Sequence, residues 1–466
     1  MASKKSINKI TLLNIIGTAL LQGISFITAP VFSRILGPEN YGIFSIFITW
    51  TSVCSNIFSL QTASTISVAP AYFPEEEQPK YQSSILCLSI LSYSIFSAIV
   101  LLLLSTVSKL LVLSETVCIL MLFLGLAQTC ISFANAKYII EFRADSNLKL
   151  SLASALLGVG CSLLLLLFIP DSVNYYARMI GITITETGLA IGICVSIFRN
   201  GKTGFSKKYW KFCLPIALPC IFHCVSGLIL NQSDRVMIQQ MMGTAQAGIY
   251  SLAYSFGSVT HIIYMALNNS WVPFYFEHLR EGTLDGMRRR TRNMAELFSV
   301  LCVGFMLLSP EVFHLFASEE YWAGGRYIPL FVVGNFFTFL YSFPVNYESF
   351  CKKTSFIAIA TTSAAIINIV LNYVLILKYG VLGAVIATAI SHFFQFAIHH
   401  ISAKYWIKQH EYPFKLSLFA PYTLLVLITA GLCYAVNTQF FIIRWGVGAV
   451  LGCFELYRIY KRRSIF

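Results

Sequence analysis

Fourteen long apolar stretches follow one another along the chain, at roughly residues 9–36, 42–70, 82–105, 117–136, 150–169, 175–198, 212–242, 247–270, 294–316, 327–349, 355–377, 381–402, 418–436 and 442–459. A helix of about 20 apolar residues crosses the hydrocarbon core of a bilayer, and each stretch is of that order. None shows the ten-residue alternation of apolar and polar positions that a membrane barrel needs. The connections are too short to fold as separate soluble domains. Composition agrees: hydrophobic residues make up 57% and charged residues only 11%, against about 25% charge in a soluble domain. A water-soluble enzyme is excluded, and so is a disordered chain, whose mark is low hydrophobicity. The sequence predicts an all-α integral membrane protein with about 14 transmembrane helices.

The formal net charge is +13, which in a soluble protein would point to nucleic acid. Placing the N-terminus in the cytoplasm and alternating the spans puts every Lys and Arg on the cytoplasmic side except Arg34, Lys109, Arg178, Arg235, Arg326, Lys378 and Arg444. That asymmetry predicts an even number of spans with both termini cytoplasmic. The runs Arg288–Arg292 and Lys461–Arg463 then face anionic lipid head groups, and no nucleic-acid partner is expected. Lys4, Lys5 and Lys9 precede an apolar run with no small-residue cleavage site, so this end reads as an uncleaved first span. The 13 cysteines include no C-x-x-C pair and read as small hydrophobes within apolar runs. Cys220, His223 and Cys224 lack the spacing of a zinc site, so no metal is expected.

A repeat is visible. Gly37-Pro38-Glu39-Asn40-Tyr41-Gly42-Ile43-Phe44-Ser45 parallels Gly243-Thr244-Ala245-Gln246-Ala247-Gly248-Ile249-Tyr250-Ser251, giving G-x4-G-I-[FY]-S at an offset of 206. Six spans fit within that offset. Six is even, so the two copies are parallel repeats. The expected organisation is a six-helix bundle over 1–205, a second over 206–410, and an appended helix pair over 411–466.

No H-E-x-x-H, G-x-S-x-G or P-loop motif occurs, so no enzymatic constellation is expected. The informative residues are charges and breaks within spans. Arg34, Arg178, Glu186, Asp234, Arg235 and Glu348 are costly in hydrocarbon, by roughly 2.5–3.5 kcal/mol each on insertion scales, and such residues usually face a cavity. Glu455, near a cytoplasmic end, reads as structural. Arg178 and Glu186 are two turns apart and share a face, as a cavity lining or a structural polar stripe. Asp234 and Arg235 point about 100° apart and call for separate partners. Asn368 and Asn372 share a face and suit either sugar hydroxyls or helix–helix hydrogen bonds. His223 and His261 suit either proton transfer or packing. Pro30, Pro215 and Pro219 are hinge candidates, and Pro344 interrupts the tenth span.

Three segments carry a family resemblance: Ser33–Ser45 (SRILGPENYGIFS), Ser233–Ser255 (SDRVMIQQMMGTAQAGIYSLAYS) and Asn368–Thr388 (NIVLNYVLILKYGVLGAVIAT). The chain resembles bacterial polysaccharide repeat-unit (O-antigen-type) flippases of the multidrug/oligosaccharidyl-lipid/polysaccharide exporter superfamily. The resemblance implies two six-helix bundles around a central cavity plus two extra C-terminal helices. It implies transport of undecaprenyl-diphosphate-linked oligosaccharide across the cytoplasmic (inner) membrane, with lipids and other polysaccharide assembly proteins as partners. No cofactor is implied, and proton or sodium coupling stays open. In-span arginines suit a diphosphate. A multidrug or cation antiporter of the same superfamily would want an acidic cavity instead. A membrane-embedded polymerase would want a catalytic acidic motif or a large outer loop.

Overall fold

The structure is a computed structural model. It describes the backbone of residues 4–462 except 142, 283, 408–409 and 437–439, and side chains from residue 23 onward except at those positions and at 25, 223, 270, 273, 354, 436 and 462. Every regular element among the described residues is helical. In chain order they are α1 (Lys4–Phe58), α2 (Gln78–Leu102), α3 (Leu104–Leu111), α4 (Glu115–Ile140), α5 (Ala144–Leu165), α6 (Tyr175–Gly201), α7 (Lys207–Met242), α8 (Thr244–Glu281), α9 (Leu284–Phe316), α10 (Ile328–Phe350), α11 (Thr354–Tyr379), α12 (Val381–Ile401), α13 (Leu416–Val436) and α14 (Phe441–Arg462). Among the described residues, eleven helical segments are long and apolar enough to cross a membrane. This is a multi-pass membrane fold, and each of the fourteen apolar stretches lies on a helix.

The first two stretches share α1, which is interrupted at Gly37 (φ 70°, ψ 168°). Gly243, its counterpart in the repeat, caps α8 with φ 96° and ψ 167°. Positive φ is costly for any residue with a Cβ, so glycine permits the same break in the helix at both positions. The second stretch was expected to run to residue 70, but α1 stops at Phe58. Leu60 and Gln61 take left-handed conformations, and a 3-10 turn over Thr62–Ser67 follows. The polar run there satisfies the freed backbone: Gln61 Nε2 donates to the Asn56 carbonyl at 3.3 Å and Thr65 Oγ1 to the Thr62 carbonyl at 2.7 Å.

Contacts group the chain into two units, one of residues 1–28 and 35–228, the other of 29–34 and 229–466. In the first, α6 packs against α5, α4 and α2. Its core gathers aromatics: Phe73 stacks on Tyr81 at 5.1 Å and meets Tyr209 edge-on at 5.3 Å. In the second, α12 packs against α11 and α10, and α10 against α8. Phe298 and Phe339 meet at 4.4 Å in its interior. Helices α13 and α14 lie on α9. Arg444 fastens α14 there, donating to the Leu307 carbonyl at 2.9 Å and pairing with Glu311. Arg458, fourteen residues further along α14, pairs with Glu296 of α9. Buried Glu455 lies on the same helix.

Candidate functional site

The densest polar site in the second unit is built around Asp234, which is 1% exposed. The tight turn at Gly243 folds α8 back along α7, so Tyr250 reaches Asp234 from sixteen residues away. The Tyr250 hydroxyl donates to Oδ2 at 2.5 Å. Asn372 Nδ2 on α11 donates to Oδ1 at 2.6 Å, and Thr388 Oγ1 on α12 donates to Oδ2. Asn372 Nδ2 also reaches Asn368 Oδ1 at 2.9 Å, which accepts from Ser233 Oγ at the same distance. Four helices thus converge on one carboxylate. The two asparagines act here as helix–helix glue, one turn apart on α11.

Arg235 departs in another direction, as the helix geometry requires. Its guanidinium lies over the Tyr254 ring at 4.6 Å. Tyr250 and Tyr254 are one turn apart on α8, so a single face of that helix receives the acid through a hydroxyl and the base through a π-face. All three donors to Asp234 are neutral. A carboxylate so enclosed is costly unless charge compensates it, so this arrangement can hold an anion beside Arg235 or exchange a proton or a metal cation.

Glu348 is not part of that site. It is fully buried at the far end of α10, with His399 Nδ1 2.7 Å from Oε2 and Ser402 Oγ donating to Oε1. Thr388 and His399 are eleven residues apart on α12, so the two carboxylates sit about 16 Å apart along it. His261 packs its ring on Tyr264 at 5.3 Å. The side chain of His223 lies outside the described residues.

In the first unit, Arg178 and Glu186 both face α5. Arg178 Nη1 donates to Ser162 Oγ at 3.2 Å and to the Gly158 carbonyl at 3.4 Å, and its guanidinium lies 5.6 Å from the Phe44 ring centre. Ser154 Oγ donates to Glu186 Oε1 at 3.1 Å. Ser154, Gly158 and Ser162 recur every four residues, giving α5 a polar stripe that meets the one on α6. The helices approach closely because position 181 is glycine: a Cβ there would sit 2.6 Å from the Ser162 nitrogen.

Arg34 is exposed and donates to the Leu315 carbonyl at 2.5 Å, at the C-terminal end of α9, where a cation complements the helix dipole. Pro30 is buried, and its carbonyl accepts from Ser33 Oγ at 2.9 Å. Pro215 and Pro219 are exposed within α7, which continues through them. A neutral site went unseen in the sequence. Ser55, Asn56, Gln61, Thr62, Ser89 and Thr129 line a polar cavity of about 30 Å³ at the break after α1, room for roughly two waters. Its signal was the run Ser59–Ser67 (SLQTASTIS), polar residues inside an apolar stretch.

A family model described as "Polysaccharide biosynthesis protein" matches residues 7–278, more than half of the chain. The chain belongs to this family. It is 26% identical over 201 residues to an "Uncharacterized membrane protein" of Haemophilus influenzae, covering 41% of this chain and 48% of that one. It is 26% identical over 187 residues to "Lsg locus putative protein 1" of the same organism, covering 37% and 46%. These matches span about half the length of each relative. Among solved structures, "Lipid II flippase MurJ, inward closed conformation" aligns with a TM-score of 0.70 at 17% identity, over 94% of this chain and 99% of that one. A multidrug resistance MATE family transporter of the MOP superfamily, inward-facing, aligns at 0.55 and 14%, over 90% and 96%. At such identities the likeness establishes a common fold for this polysaccharide biosynthesis protein and these transporters.

Proposed function

We propose that this chain is a flippase that carries undecaprenyl-diphosphate-linked oligosaccharide repeat units across the bacterial cytoplasmic membrane by alternating access, for surface polysaccharide such as O-antigen or capsule. It performs no covalent chemistry, and both termini are cytoplasmic. The observation that carries the reading is one guanidinium in each unit, Arg178 and Arg235, each on a helix long and apolar enough to cross a membrane and each held against an aromatic ring. A planar guanidinium offers paired donors that match phosphate oxygens, so these two side chains suit a diphosphate better than an organic cation. Asp234, enclosed by neutral donors, is the group that exchanges the coupling cation, and Pro215 and Pro219 let α7 bend.

The test is complementation. Expressed in a flippase-null strain that makes the cognate repeat unit, the chain restores surface polysaccharide, and Arg178→Gln with Arg235→Gln does not. Absence of surface polysaccharide with verified membrane expression, together with acquired drug resistance, would replace the reading by a multidrug antiporter.

A further inference from the structure

The first unit carries an apolar groove that the in-span charges do not use. It has a volume of about 550 Å³ and runs between α4 and α6, with Ile90 of α2 at its side. Phe123, Ile191 and Val195 stand exposed along it, at 57%, 60% and 50%. A second apolar hollow of about 230 Å³, between α2 and α4, shares Phe123 and Leu126 with it, so the two adjoin along α4.

The length of this channel can be read along the helices. On α4 its lining runs from Ile119 to Cys130, eleven residues. Cys130 Sγ lies 3.6 Å from Cys194 Sγ on α6, and the lining continues on α6 to Arg199, five residues on. Sixteen residues at 1.5 Å each span about 24 Å. One leaflet of hydrocarbon is only about 15 Å deep, so a phospholipid chain would fill little more than half of the channel.

The end is charged. Arg199 lines the groove in the last turn of α6, and exposed Lys202 follows it. Neither pairs with a carboxylate among the described residues, so a cationic terminus closes a mostly apolar slot. A ligand that fits has one anionic head and one apolar tail longer than a leaflet.

We propose that this groove seats the tail of a polyisoprenyl phosphate lipid, with the phosphate on Arg199. The inference rests on the flippase reading for its physiological ligand: the groove is a waiting position, from which the headgroup passes to the in-span arginines. It gives the first unit a lipid-loading surface and makes tail length a determinant of substrate choice.

Binding is measured on the purified full-length chain by native mass spectrometry, with undecaprenyl phosphate and with dioleoyl phosphatidylglycerol, each added alone. Undecaprenyl phosphate is retained about tenfold better, a difference of about 1.4 kcal/mol. Val195→Trp, on the exposed rim, fills the slot and removes that preference. Arg199→Gln weakens retention about tenfold, the scale of one charge-assisted contact. In the unmodified chain, bound undecaprenyl phosphate slows alkylation of Cys194 by a membrane-permeant maleimide, read by peptide mapping, while phosphatidylglycerol does not. Equal retention of the two lipids, or a preference untouched by Val195→Trp, or unprotected Cys194, overturns the proposal. These readouts need no transport, so their failure leaves complementation standing, and failed complementation leaves them intact.

Discussion

At the scale of single residues, the second unit spends its polar side chains on a few closed networks. Asp234→Asn keeps the shape of the site and removes its charge. The variant reaches the membrane at wild-type level and loses complementation, a result read by immunoblot alongside surface polysaccharide. Tyr250→Phe deletes one donor to Asp234 and lowers stability by about 0.6 kcal/mol, with a ceiling near 1.7, as for hydrogen bonds between membrane helices; unfolding in detergent measures it. Gly181→Val forces α5 and α6 apart at Ser162 and costs about 1–3 kcal/mol, seen as a lower melting midpoint. The charged members of these networks were legible, because a charge in an apolar run is rare and costly. Tyr250, Thr388, His399 and Ser402 were not. A hydroxyl or an imidazole is common on helix faces, and only the packing of α8, α10 and α12 reveals which ones meet a carboxylate.

At the scale of elements, hydrophobic length placed every main helix, while their ends escaped it. Helix α8 runs on to Glu281 and α9 begins at Leu284, well beyond the apolar stretches, because a helix continues into the interface on backbone hydrogen bonds alone. The stop at Phe58 was missed for the opposite reason: the composition stays apolar enough, but hydroxyl and amide side chains compete for the backbone. Gly243→Ala meets no neighbouring atom within 4 Å, so its cost is purely conformational, about 1–3 kcal/mol, and thermal unfolding reports it. Replacing Pro215 and Pro219 together by Ala restores two backbone donors to α7. The melting midpoint rises while complementation falls, which separates a bending role from a structural one.

At the scale of the whole molecule, the alternation of basic connections predicts which side of the membrane each loop occupies. A phosphatase active only in the periplasm, fused after residue 282 or at the C-terminus, is inactive, and fused after residue 171 it is active; the reverse pattern would invert the topology. The shared conformation of Gly37 and Gly243 was legible because a positive-φ glycine leaves a trace in sequence. The attachment of α13 and α14 to α9 was not, because it depends on pairs such as Arg444 with Glu311, more than a hundred residues apart.

The matched helix breaks at Gly37 and Gly243 carry one more consequence. Seven residues beyond each stands an aromatic ring, Phe44 in the first copy and Tyr250 in the second. Phe44 lies beneath the guanidinium of Arg178, whereas Tyr250 turns its hydroxyl to the carboxylate of Asp234. A single oxygen atom, present in one half and missing in the other, accompanies the opposite electrical polarity of two otherwise twinned positions.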